Sequence, residues 1–394
     1  MCLFDYRQPA GALPGVEGGT CYERRSSRPS ARAVGTYMRI GIPRELKPRE
    51  GRVGLIPAAC VELVRGGHEV FVEHAAGEKS GYSDQHFRDV GVNVLPTADE
   101  LFAKSQMIVK VKEPIEPDLA RLRKDHLLFC YLHLAALPEL TRRLCSIGLT
   151  AIAFETVEDR VGRLPLLAPM SDIAGRLAMQ YSTSLLHQPQ GGKGILLGGV
   201  PAARRGRVVV LGAGVAGGNS ALVAAGLGAE VIVFDKDRDK MVAARAMGAN
   251  VTALYPHVSD VADAVRGADI VVGAVLVTGA RAPHVVSADM VRSMEPGSVI
   301  VDISVDQGGC VETTRPTTYE APTYQWEGVT HFCVTNMPGA VPRTSSQALS
   351  AAIAPYVVRL ADGHASNEEW REDPGLVKGI NVEAGKVTHP ALMS

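Results

Sequence analysis

The sequence predicts an α/β protein made of two doubly wound domains, each built on a parallel sheet, facing one another across a cleft. Three observations carry this reading. The chain has 394 residues, more than one hydrophobic core usually serves. From Met38 onward, short apolar runs alternate with helical patterns, the mark of parallel strands joined by helical crossovers. A second series of such runs begins at Arg207, after a long helical stretch, which places a domain boundary between the two series.

The first 37 residues are rich in Gly, Pro, Arg and Ser, and show neither helical nor strand periodicity. They read as a disordered extension, with the fold starting near Met38. The first series then runs RIGIP, VELVRGG, HEVFVEH, SDQHFRDVG, MIVKVKEP, LARLRK, LLFCYLHL, LPELTRRLCSIG and TAIAFE. The segment LLAPMSDIAGRLAMQYSTSLL reads as one long helix. The second series runs RVVVLGAG, an Ala-rich helix, VIVFDKD, a helix to Met247, NVTALY, ADIVVGAVLV, VSADMVRSM, SVIVDISV and THFCVTN. Its apolar runs are four to eight residues long and bounded by Gly or Asp, as strands buried on both faces are. The helical segment SSQALSAAIAPYVVRLADG has a spacing suited to packing back on the first domain, which makes that domain discontinuous: 38–166 with 344–394, around 167–343.

Composition narrows the function. A formal net charge of -1 offers no general attraction to nucleic acid or to an anionic membrane. No run of 18 apolar residues is free of charge, Gly or Pro, so no transmembrane helix is read. The partner is a small molecule. Seven scattered cysteines (Cys2, Cys21, Cys60, Cys130, Cys145, Cys310, Cys333) contain no C-x-x-C pair and no metal-ligand spacing. They read as reduced thiols in a cytoplasmic protein without a metal site, with Cys130 and Cys333 in the core.

Residues 212–217 read Gly-Ala-Gly-Val-Ala-Gly, after the strand RVVVL and before a helix. In that setting Gly212 permits the tight turn, Gly214 lets backbone amides approach a pyrophosphate, and Gly217 lets helix and strand pack closely. Val215 follows at the helix start, whose amides face an anion. This is the fingerprint of a Rossmann dinucleotide-binding domain. Asp235 follows the next strand, VIVF, 23 residues after Gly212, where a carboxylate accepts hydrogen bonds from the ribose and repels a 2′-phosphate. NAD is favoured over NADP, with Lys236 and Arg238 nearby as contrary signs.

Four polar residues are candidates for chemistry: Arg52 in PREGRVGLIP, Lys112 in VKVKEP, His133 in CYLHLAA and Asp306 in DISVDQGG. Oxidising an amino acid at its α-carbon needs a cationic clamp for the carboxylate and a group that moves protons. Arg and Lys suit the clamp, and His titrates near neutrality. Each also has a plainer reading. Arg52 and Lys112 can be surface charges, His133 a satisfied core residue, and Asp306 a cap or turn residue before Gly308 and Gly309.

From Met38 to about Lys386 the chain resembles the alanine dehydrogenase family. The segments that carry the resemblance are RIGIPRELKPREGRVGLIPA, KVKEP, YLHLAA, LLAPMSDIAGRLA, GGKGILLGGVP, VLGAGVAG, GAVLVTGA, VDISVDQGGCVETTRPTTY and NMPGAVPRTSSQALS. The resemblance implies that Arg52 and Lys112 bind the substrate carboxylate, that His133 is the general acid and base, and that Asp306 assists the water and imine steps. It also implies that Tyr131 and Asn336 shape the substrate pocket, and that Ser171, Val275 and Met337 lie along the cofactor. The reaction implied is NAD-dependent interconversion of L-alanine with pyruvate and ammonium, in a homo-oligomer, commonly a hexamer. Two rivals have the same fold. One is the NAD-binding subunit of a proton-translocating transhydrogenase, whose segment corresponding to YLHLAA lacks the His. The other is a non-catalytic NAD sensor, against which all four polar residues stand together.

Overall fold

The computed structural model describes residues 37–275, 282–365 and 369–393. The expected N-terminal extension, Cys2 and Cys21 fall on residues outside these, as does the end of the predicted strand ADIVVGAVLV.

In chain order the strands are β1 (Arg39–Ile42), β2 (Glu69–Glu73), β3 (Asn93–Leu95), β4 (Met107–Val109), β5 (Leu127–Cys130), β6 (Thr150–Ala153), β7 (Arg207–Leu211), β8 (Glu230–Phe234), β9 (Val251–Leu254), β10 (Ile270–Gly273), β11 (Val299–Asp302), β12 (Thr323–Trp326), β13 (Val329–Phe332), β14 (Ile380–Glu383) and β15 (Lys386–Val387). They form two sheets. The first has the order β15-β14-β6-β5-β4-β1-β2-β3, the second β12-β13-β11-β10-β7-β8-β9. Apart from β12, the second sheet has the doubly wound order in which the first and fourth strands of the series flank a crevice. Strands β5, β10 and β11 are buried along their whole length, which is why they read as unbroken apolar runs.

The antiparallel edges were not anticipated. Strand β12 pairs with β13 through a turn at Glu327 (φ 48°) and Gly328 (φ 80°), and β14 pairs with β15 through Ala384 (φ 48°) and Gly385 (φ 80°). Both turns have two consecutive positive φ values, the geometry that matches hairpin twist. Neither Glu-Gly nor Ala-Gly is a strong hairpin signal. Strand β14 also pairs with β6, so residues 380–387 extend the first sheet. The short β3 was likewise missed.

Two helices bring the sheets together. Helix Ala168–Leu185 packs on helix Val215–Gly226 so closely that a Cβ at Gly175 would lie 2.1 Å from the Ala216 carbonyl oxygen. The Ser220 hydroxyl donates to the Gly175 carbonyl across this contact at 2.9 Å. Helix Pro342–Ala365 packs on helix Pro57–Arg65 and on helix Ala168–Leu185. Its Ser346 and Ser350 hydroxyls accept from the Val53 and Ile56 amides at 3.0 and 2.9 Å, which fixes the segment that carries Arg52. Cys130 and Cys333 are fully buried, as expected. Among the described residues, no helix is long and apolar enough to cross a membrane.

Candidate active site

A cleft of about 1010 Å³ runs between the carboxyl ends of the strands of the two sheets. Arg52, Lys112, Tyr131, His133, Asp306 and Asn336 all line it, together with Ser171, Gly214, Val215, Val275 and Met337. Most of these lie within a few residues of a strand's carboxyl end, where open parallel sheets place their ligands.

Arg52 is buried and held from its own segment. Its Nε donates to Glu50 Oε1 at 2.7 Å and its Nη2 to Glu50 Oε2 at 2.5 Å, a parallel two-point pairing. Nη2 also donates to Asn336 Oδ1 at 2.6 Å, and Nη1 reaches the Met170 sulfur at 3.2 Å. The Nε edge of the guanidinium is therefore committed to Glu50, and Nη1 is engaged by the Met170 sulfur. Burial pushes the Glu50 carboxyl up, but the hydrogen bonds and charge of Arg52, with Asn336, outweigh it and bring it down to about 2.

Lys112 follows β4, half-buried at the cleft wall. Burial pulls its ammonium below the usual lysine range; Glu113 opposes this, and Arg52 and Lys47 reinforce it. Below it lies a fully buried triad in which Lys110 Nζ sits 3.1 Å from Asp118 and 3.4 Å from Glu45. Glu45 Oε1 in turn accepts from the Val111 amide at 2.6 Å, pinning the strand end that presents Lys112.

His133 and Asn336 are delivered by the same local device. Each adopts the left-handed conformation, His133 at φ 53°, ψ 35° and Asn336 at φ 60°, ψ 41°. Each opens a 3-10 turn that ends in a residue near φ -125°, ψ 64°, namely Leu137 (φ -129°, ψ 64°) and Val341 (φ -124°, ψ 63°). A helix-starting proline follows, Pro138 or Pro342. Left-handed backbone is tolerated by Asn but costs about 1 kcal/mol or more for most residues, so the turn at His133 is held by its surroundings. The core reading of His133 is set aside, since its side chain is 32% exposed at the cleft. Tyr131 packs edge-on to it, with ring centroids 5.9 Å apart, and donates its hydroxyl to the Leu166 carbonyl.

Asp306 lies in the 3-10 turn Val305–Gln307, four residues beyond β11. It is open to the cleft, yet the protein around it raises its carboxyl, with the charges of His133 and Lys112 pulling the other way. The loop is anchored by buried Asp302. This carboxylate accepts from the Ser304 hydroxyl (2.8 Å), the Cys310 amide (2.9 Å), the Thr314 hydroxyl (2.8 Å) and the Ser304 and Val311 amides (3.1 and 3.3 Å).

The glycine loop fits a dinucleotide phosphate. Gly212 has φ 93°, and a Cβ there would lie 2.6 Å from the Ala274 carbonyl oxygen; at Gly217 it would lie 1.8 Å from the Gly212 carbonyl oxygen. A Cβ at Gly214 would meet nothing within 4 Å and would project into open space. Gly214 caps helix Val215–Gly226 without a side-chain hydrogen bond, leaving the first amides for an anion. Asp235 follows β8 directly. It accepts from the Ala213 amide at 2.6 Å and the Asp237 amide at 2.8 Å, tying the end of β8 to the loop.

Comparison with known proteins accounts for this arrangement. Residues 41–174 match the family model described as alanine dehydrogenase/PNT, N-terminal domain, and residues 178–390 the corresponding C-terminal domain. The alanine dehydrogenase of Mycolicibacterium smegmatis is 46% identical over 360 residues, covering 90% of this chain and 96% of that protein. The chain belongs to the alanine dehydrogenase family. A solved L-alanine dehydrogenase structure superposes with a TM-score of 0.85 at 48% identity, covering 90% of this chain and 98% of that one. A transhydrogenase from Sinorhizobium meliloti superposes with a TM-score of 0.74 at 24% identity over 90% of this chain and 99% of that one, which shows a shared fold. Membership of the alanine dehydrogenase family implies a nicotinamide dinucleotide cofactor.

Within the alanine dehydrogenase frame, three supporting residues escaped sequence reasoning: Glu50, Asp302 and Glu155. Glu50 stands two residues before Arg52, a spacing that hinted at the pair. Asp302 interrupts the apolar run SVIVDISV, a buried-carboxylate signal left unread. Glu155, in AIAFE, had no local signal.

Proposed function

We propose that the protein catalyses the NAD-dependent oxidative deamination of L-alanine to pyruvate and ammonium, and its reverse, with His133 as general acid and base. The observation that supports this most directly is the convergence of Arg52, Lys112, His133 and Asp306 on the cleft that also holds Gly214. A nicotinamide dinucleotide bound along the glycine loop supplies the two-electron acceptor. Arg52 and Lys112 take the substrate carboxylate, with Asn336 and Tyr131 shaping the pocket beside them. His133 removes a proton from the water that attacks the imine carbon and returns it as ammonia leaves, while Asp306 orients that water. Ser171, Val215, Val275 and Met337 bound the cofactor.

NAD rather than NADP is favoured by Asp235, whose remaining lone pairs can accept from ribose hydroxyls and whose charge repels a 2′-phosphate. The division into a substrate domain (38–166 with 344–394) and a Rossmann domain (167–343), a cytoplasmic location and a homo-oligomer, by resemblance a hexamer, belong to the same proposal. It is tested by following NAD reduction over a panel of amino acids, with His133→Ala and Asp306→Asn alongside. Turnover on alanine that collapses in both variants is expected; wild-type turnover in both overturns the assigned roles, and no turnover on alanine overturns the substrate.

A further inference from the structure

The turn that carries His133 has an acidic neighbour that the mechanism above leaves unused. Glu155 lies in the 3-10 turn Phe154–Thr156, just past β6, the strand beside β5. The last regular backbone bond on the β5 side runs from the Tyr131 amide to the Val111 carbonyl. The next two amides turn to Glu155. Its Oε1 accepts from the His133 amide at 2.6 Å and, with Oε2, from the Leu132 amide at 3.1 and 3.2 Å.

The same Oε1 stands 4.0 Å from His133 Nδ1, a buried ring nitrogen with no hydrogen-bond partner. That is too long for a hydrogen bond. Catalytic hydrogen bonds are often long before substrate arrives and tighten afterwards. Several other groups share this environment. Glu113 and Asp306 feel the His133 charge, and Lys112 acts on Asp306. Cys130, Tyr131 and His389 feel the Glu155 charge, and the turn Pro390–Leu392 packs on the turn Leu134–Ala136 that follows His133.

We propose that Glu155 is the positioning residue of His133. It holds the left-handed turn through two amides and draws Nδ1–H toward its carboxylate, so that Nε2 is presented to substrate. A carboxylate behind an imidazole can hold both tautomer and ring orientation in this way. The inference rests on the reading of His133 as the acid and base.

Glu155→Gln separates the two duties, because its carbonyl oxygen can still accept from the amides while its charge is gone. At saturating alanine, kcat of this variant falls about tenfold or more. Its KM for alanine stays within about twofold, because Glu155 acts on the ring that moves protons and not on the carboxylate clamp. Glu155→Asp keeps the carboxylate and retains a larger share of kcat than Glu155→Ala, so a poorly folding Gln variant does not remove the test. A kcat that is intact in Glu155→Gln, or reduced equally in the Gln, Asp and Ala variants, overturns the proposal. His133→Ala measured in parallel isolates the underlying reading: wild-type turnover there defeats the role of His133 whatever the Glu155 variants do.

Discussion

Glu50 and Arg52 form a buried two-point ion pair, with side chains only 1% and 2% exposed. The pair commits one edge of the guanidinium before any substrate arrives, so its orientation is built into the fold. Removing one partner of such a pair strands a charge away from water, which typically costs about 3–5 kcal/mol. Glu50→Ala is therefore expected to lower the urea midpoint clearly and to raise KM for pyruvate, and an unchanged midpoint contradicts the pairing. The sign of the pH dependence follows. Because the folded Glu50 carboxyl lies at about 2, below its ordinary 4.5, its contribution is complete above pH 4.5 and is lost as pH falls toward 2. Stability measured over that window falls less steeply in Glu50→Gln than in the wild type.

The glycines of the loop separate folding from binding. Gly214→Ala meets no atom within 4 Å, so its melting temperature stays within a few degrees of wild type while its Kd for NADH rises about tenfold or more. Gly217→Ala places a methyl against the Gly212 carbonyl and is expected to cost about 3 kcal/mol or more by overpacking. Calorimetry and NADH fluorescence titration distinguish the two. Tight NADH binding by Gly214→Ala contradicts the placement of the phosphate.

Asp302 carries the loop that presents Asp306. Asp302→Ala strands several buried donors, each worth about 1–3 kcal/mol, so a lowered melting point is expected. On the proposed role of Asp306 in the water step, the fall in kcat should exceed the change in KM for alanine. A stable variant with full kcat removes Asp302 from the site's support.

Asp235→Ser tests cofactor choice. Loss of the carboxylate removes the repulsion of a 2′-phosphate, and the ratio of kcat/KM for NADP over NAD is expected to rise about tenfold or more. An unchanged ratio assigns Asp235 only to the Ala213 and Asp237 amides it already accepts.

Much of the site was legible because its signals are local. The glycine spacing after a strand forces a particular turn whatever the rest of the chain does, and polar residues at the ends of apolar runs mark the ligand face of a parallel sheet. The Glu155 bonds to the Leu132 and His133 amides and the Arg52 bond to Asn336 were not legible, because each joins segments whose proximity only the sheet order and packing create. Arg52 and Asn336 are 284 residues apart.

By itself, then, the order of residues determined the alternation of strands and helices, the turn at Gly212 and the candidate set Arg52, Lys112, His133 and Asp306, since backbone preference and side-chain period act over a few residues. Tertiary structure alone decided which carboxylate faces which cation and that His133 and Asn336 share one left-handed device. It also decided that Asp235 accepts from the Ala213 amide of the glycine loop. Those outcomes depend on burial and distance, and both exist only once the two sheets have packed together.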